Sequence, residues 1–189
     1  MNKRIIIAIL ALFSLTFAMA KPKAVRLVTE NMENPLGLPT HTPRFSWQLT
    51  EAKKNTMQTA YRIMVASAPE LLKEGRADLW DSGMVQSDES IWINYAGKAL
   101  KDNQRCFWTV QVKTNNGTTD WAEPQEFGIG LTADSHWAGR WVGIDHLLEG
   151  ESLGYKTRVN ARYLRGEIEL NPAKTVKRAT AYVGVLGLY

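Results

Sequence analysis

The sequence predicts an all-β chain. Apolar and polar residues alternate with a period of two in several short runs. Glycine, proline and asparagine separate those runs at intervals of about 8–12 residues, the spacing of turns in a β-sandwich. An Asn116-Gly117 dipeptide follows the longest alternating run, a strong short-range hairpin signal because both residues tolerate positive φ.

Residues 1–20 are set apart from the fold. Lys3 and Arg4 precede an apolar run from Ile5 to Phe17, and Ala18-Met19-Ala20 has the small-x-small pattern of a peptidase site. That combination is a secretory signal peptide, and the run is short for a membrane span. The expectation is an exported, periplasmic or secreted chain cut after Ala20. Lys21 follows instead of a cysteine, so a lipidated N-terminus is not supported. No later stretch is long and apolar enough to cross a bilayer.

Strands follow in order. Val25–Val28 is the first. Asn34–Pro39 holds two prolines and a glycine and reads as a loop. In Arg44–Leu49, Phe45, Trp47 and Leu49 share one face. In Gln58–Ser67, Tyr61, Ile63 and Val65 point one way and Arg62, Met64 and Ala66 the other. Pro69–Gly75 is one helical turn, proline first and glycine last. Leu79–Val85 is a short edge strand or a turn, and Ile91–Ile93 is another short strand. Gln104–Thr114 is the strongest strand, with Cys106, Trp108, Val110 and Val112 on one face. Trp121–Ile129 returns from the hairpin with a bulge near Pro124.

This count and spacing predict an immunoglobulin-like or fibronectin type III sandwich over residues 21–131. Cys106 is the sole cysteine, so no disulfide can join the sheets and the fibronectin-like variant is preferred. Residues 132–189 read as a linker and the first strands of a second, incomplete β-sandwich. Those strands are Arg140–Ile144, Ala161–Leu170 and Lys177–Tyr189, the last two joined at Asn171-Pro172. The final strand is apolar and ends without a polar tail, so the expectation is a chain cut within its second domain.

Composition excludes some functions. Basic residues number 23 and acidic residues 19, and the signal segment holds two of the basic ones. Lys53-Lys54 and Lys177-Arg178 are the densest basic clusters, so no stripe exists for displacing nucleic-acid counterions. His41, His136 and His146 lack the i+3 or i+4 spacing of metal ligands, and no metal or cofactor is expected. Nucleophile-elbow, P-loop and dinucleotide motifs are missing. The carboxylate pairs Asp78/Asp81, Asp88/Glu89 and Glu167/Glu169 read as solvated edge or turn residues, so no catalytic residue is assigned. Among seven tryptophans, Trp47 and Trp108 fall on inward faces. Trp80, Trp92 and Trp121 sit at strand ends and are the candidates for stacking on sugar rings.

Several segments together resemble one family. They are Arg26-Leu27-Val28-Thr29-Glu30-Asn31, Asn34-Pro35-Leu36-Gly37-Leu38, Pro43 to Leu49, Gln58 to Ser67 and Leu79 to Gly83. Phe107 to Val112, Trp121-Ala122-Glu123-Pro124 and Phe127 continue the match, as do Trp137 to Gly143 and Ala161 to Arg165. In this order they resemble the N-terminal region of bacterial α-L-rhamnosidases of glycoside hydrolase family seventy-eight. Cys106 departs from the family, where an aromatic is common. The resemblance implies a catalytic (α/α)₆ barrel downstream as intramolecular partner, carrying two acidic residues, and possible contact with rhamnose-containing glycans. It implies that this stretch is a non-catalytic accessory module of an exported α-L-rhamnosidase. The alternative is a free-standing carbohydrate- or protein-binding sandwich.

Overall fold

A computed structural model describes residues 21–50, 53–133, 136–143, 146–152 and 161–185. The expected signal peptide lies outside the described residues. Among the described residues eight strands form, in two sheets: β1 (Ala24–Thr29), β2 (Arg44–Leu49), β3 (Gln58–Ala66), β4 (Trp80–Asp81), β5 (Ile93–Asn94), β6 (Arg105–Thr114), β7 (Gly117–Thr118) and β8 (Gln125–Gly128). One sheet runs β1-β2-β5. The other runs β4-β3-β6-β7, with β8 also paired to β6. The chain is an all-β immunoglobulin-like sandwich. An immunoglobulin constant domain keeps its fourth strand with the first, second and fifth. Here β4 joins β3 in the opposite sheet.

Alternation dictates what lies between the sheets. Phe45 and Trp47 from β2 face Tyr61, Ile63 and Val65 from β3 and Cys106, Trp108, Val110 and Val112 from β6. Phe45 lies 4.4 Å from the Trp108 ring and 5.7 Å from Phe127, and Trp47 meets Tyr61 edge-on at 5.2 Å. Ring pairs at such distances add about 0.5–1.5 kcal/mol each beyond burial. Cys106 is fully buried, and burial pushes its thiol up to about 12. It packs as a small hydrophobe. On the other face of β3, Met64 and Ala66 are buried too, because β3 lies between β4 and β6.

Polar groups also join the sheets inside. The Trp47 indole N–H donates to Gln58 Oε1 at 3.0 Å. The Gln58 amide donates onward to the carbonyls of Ser87 (3.2 Å) and Glu89 (2.6 Å).

Several loops differ from the sequence expectation. Asn34–Pro39 is not free of pairing: Leu38 forms an isolated parallel bridge with Ile129. Leu38 N–H donates to Gly128 O (2.8 Å), Gly130 N–H to Leu38 O (2.9 Å) and Gly128 N–H to Pro35 O (2.7 Å). Proline removes only its own N–H, so Leu38 and the Pro35 carbonyl remain available. The hairpin register also differs. Thr114 pairs with Gly117, so Asn115 and Asn116 occupy the loop, and of the three only Gly117 has positive φ (119°). A type I turn followed by a glycine bulge gives this pattern. The returning strand splits into β7 and β8, since Pro124 cannot donate to a ladder. The helical turn is a three-residue 3₁₀ segment, Pro69–Leu71, and β5 begins at Ile93 because Trp92 has φ of 57°.

The chain divides into two units between Ala138 and Gly139. Among the described residues of the second unit, no strand forms over 140–143, 161–170 or 177–185. The strands expected there need a ladder partner, and no backbone hydrogen bond links these stretches among the described residues. The turn at Asn171 is present: its carbonyl accepts from Lys174 N–H at 3.0 Å and its side chain from Ala173 N–H at 2.9 Å. Glu151 and Arg162 form an ion pair, with Nη1 to Oε1 at 2.7 Å.

Candidate functional site

The three candidate tryptophans occupy three different environments. Trp80, on the short edge strand β4, is packed against the core. Its ring stacks on Phe45 at 6.3 Å and meets Tyr95 edge-on at 5.4 Å. Those contacts place Trp80 at the margin of the core, partly buried.

Trp92 is 52% exposed. Its left-handed backbone is held by donation from its N–H to Ser46 Oγ (2.9 Å). Its indole N–H donates to Asn31 Oδ1 (3.2 Å), and the Arg44 guanidinium covers one ring face at 4.5 Å. Arg44 is in turn clamped by both carboxylate oxygens of Glu30, with Nη2 to Oε2 at 2.6 Å. Glu30 and Asn31 both have positive φ between Thr29 and Met32, whose N–H and C=O groups bond reciprocally at 3.0 Å. This is a tight primed turn.

Trp121 is half-buried and lines a cleft of about 560 Å³ between β1 and the segment leading into β8. Lys23 and Arg26 supply two cations to the wall, and Glu33, Asp120 and Glu123 supply three carboxylates. Two backbone irregularities shape it. The β1–β2 register shifts between Val25 and Val28, where Arg26 has φ of 51°. Opposite, Pro124 interrupts the returning strand. A bulge re-aims side chains that a flat strand would leave in the pleat.

A second polar cluster is built from residues that spacing did not connect. The Asp102 carboxylate accepts from Thr132 N–H (2.9 Å), from Thr132 Oγ1 (2.7 Å) and from the His136 ring at Nδ1. His41 Nε2 lies 2.7 Å from its other side. His136 and Thr132, then His41, hold the carboxyl well below the usual carboxylate range. The arrangement is not a catalytic triad. A triad places the carboxylate on one ring nitrogen and the nucleophile on the other. Here Asp102 and the Thr132 hydroxyl both meet Nε2 of His41, the hydroxyl at 3.4 Å. The cluster ties the loop before β2, the loop before β6 and the segment after β8 together.

Glu30, Asp78 and Asp81 are likewise held below the usual carboxylate range. Arg44 holds Glu30 low and Arg62 holds Asp81 low. Burial pushes Asp78 upward, but the hydroxyl and amide of Ser67 outweigh it. Every displaced carboxylate among the described residues is therefore shifted down. A glycosidase acid needs the opposite, a carboxyl kept protonated near neutral pH. Among the described residues, no group of three His, Cys, Asp or Glu side chains is set to hold a metal ion. No helix there is long and apolar enough to cross a membrane.

Residues 24–133 match the family model described as Rha78A-like, N-terminal immunoglobulin domain. An α-L-rhamnosidase of Formosa agariphila is 37% identical over 165 residues, 86% of this chain and 17% of its own length. The structure of Streptomyces avermitilis α-L-rhamnosidase complexed with L-rhamnose superimposes with a TM-score of 0.62 at 35% identity, over 65% of this chain and 12% of that one. The α-L-rhamnosidase from Dictyoglumus thermophilum does so with a TM-score of 0.57 at 34% identity, over 61% of this chain and 13% of that one. The chain thus spans less than a fifth of the curated relatives it matches.

Proposed function

Because the chain belongs to the family of Rha78A-like N-terminal immunoglobulin domains, we propose that it is the non-catalytic N-terminal region of an exported α-L-rhamnosidase. The parent enzyme removes terminal α-L-rhamnose from glycans or glycosides. Its catalytic barrel lies in the portion of the relatives that this chain does not span. The sandwich acts as an accessory module that positions that barrel. Residues 132–189 supply the linker and the first strands of the next β-sandwich domain, which pair once their partners are present.

The observation that carries this reading is the pattern of coverage. Similarity to the Formosa enzyme takes in 86% of this chain, well beyond the family match at 24–133, yet only 17% of that enzyme. The downward-shifted carboxylates support it, since none of them is held protonated to serve as general acid. Purified chain incubated with p-nitrophenyl α-L-rhamnopyranoside is expected to release no nitrophenol above the no-enzyme rate. Turnover that scales with protein concentration and survives repurification refutes the proposal.

A further inference from the structure

We infer that the cleft between β1 and the segment 120–125 binds a neutral pyranose residue of a saccharide chain, with the Trp121 ring as the stacking surface. This goes beyond the accessory role proposed above and does not depend on the parent's activity.

The cleft's size is the first support: about 560 Å³ falls within the range of small-ligand sites, about 300–1,000 Å³. Its origin is the second. A sandwich edge closes easily when both bordering strands stay regular. Here β1 bulges at Arg26, in a left-handed conformation that is strained for a non-glycine residue, while Pro124 breaks the opposite border. Both borders still reach the core: Ala24 and Leu27 of β1, which an unbulged strand would turn to opposite faces, and Ala122 are buried in it, while Arg26 is left on the cleft wall. Strained backbone of this kind gathers where a side chain must be aimed.

The lining chemistry selects the ligand class. The Arg26, Glu33 and Glu123 side chains make no hydrogen bond or ion pair with any other described residue. Their donors and acceptors face solvent, uncommitted. Sugar hydroxyls both donate and accept, so they satisfy guanidinium and carboxylate groups at once. An anionic ligand such as a uronate or a nucleotide phosphate meets three carboxylates, and a cation meets Lys23 and Arg26. A wholly apolar ligand strips water from those charges without replacing it. A half-buried indole among uncommitted polar groups matches the amphipathic faces of a pyranose ring. Trp92 lacks this setting, because Arg44 covers one of its faces and both Glu30 carboxylate oxygens are taken.

Calorimetric titration of the full chain with L-rhamnose, methyl α-L-rhamnopyranoside, cellobiose and sodium glucuronate tests the site. At least one neutral sugar is expected to bind saturably, with glucuronate binding at least about tenfold more weakly. Trp121→Ala is expected to weaken the neutral sugar about tenfold, while Trp92→Ala changes it by less than about twofold. Should Trp121→Ala lose the native circular dichroism spectrum, Glu123→Gln and Glu33→Gln replace it. Each is expected to weaken binding about three- to tenfold. Absence of saturable heat with every neutral sugar overturns the inference. So does affinity unchanged by the substitutions, or glucuronate binding as tightly as the neutral sugars. Because the readout is binding, its failure leaves the accessory role untouched, and rhamnoside turnover by the chain leaves the cleft untouched.

Discussion

Replacing Gln58 by leucine should cost the sandwich about 2–3 kcal/mol, although leucine is more apolar and fits the same volume. Trp47 is only 2% exposed, so its indole N–H finds no water once Gln58 Oε1 is gone. An orphaned buried donor costs about 1–3 kcal/mol. The Ser87 and Glu89 carbonyls each lose an amide donor as well. Those carbonyls lie nearer the surface and recover part of the loss from water, leaving about 0.5–1 kcal/mol apiece. Burying the leucine methyls returns about 1 kcal/mol. Urea unfolding followed by tryptophan fluorescence reads the balance. With an m-value of about 1.5 kcal/mol/M, the midpoint should fall by about 1.5 M at unchanged m. A double-mutant cycle isolates the cause. Trp47→Phe removes the orphaned N–H, so its own cost should shrink by about 1 kcal/mol in the Gln58→Leu background. A stability loss below about 0.5 kcal/mol, or strictly additive costs, refutes the reasoning.

Two further outcomes follow from the geometry. Asp102 has a folded-state pKa below its ordinary value, so its contribution is fully present above about pH 4. It is lost as pH falls toward the lower folded value. Asp102→Ala should therefore destabilise the chain at neutral pH and flatten the acid limb of its stability profile, measured by thermal melts from pH 3 to 7; an unchanged acid limb contradicts this. At Gly128, an added Cβ would lie 2.4 Å from the Leu36 carbonyl oxygen, and the backbone there is bonded to Gly128 on both sides. Gly128→Ala should cost about 1–3 kcal/mol in the same urea assay, and a neutral result shows that the 35–38 loop yields freely.

The period-two runs were legible because alternation is a local property of the chain. Arg44–Leu49 forms a strand with the bounds expected, and Cys106, Trp108, Val110 and Val112 all turn inward and are fully buried. The candidate site was legible only in part. Trp80, Trp92 and Trp121 look alike in sequence, each an indole beside a strand end. Only the packing of Phe45 and Tyr95 on Trp80, the Arg44 guanidinium over Trp92 and the bulge opposite Trp121 separate them. His41 and His136 carry no ligand spacing along the chain, yet both meet Asp102.

By itself, then, the sequence determined the all-β class, the inward faces of its long strands and, through ordered segments, the family. Each of these is written in neighbours one or two residues apart or in motifs read in line. Tertiary structure alone decided the parallel bridge of Leu38, the convergence on Asp102 and the opening beside Trp121. Those features join groups separated by 30 to more than 90 residues, as Asp102 joins Thr132 and His41. No local pattern encodes such a meeting. It exists only once the two sheets have packed and the loops between them have been brought to the same end of the sandwich.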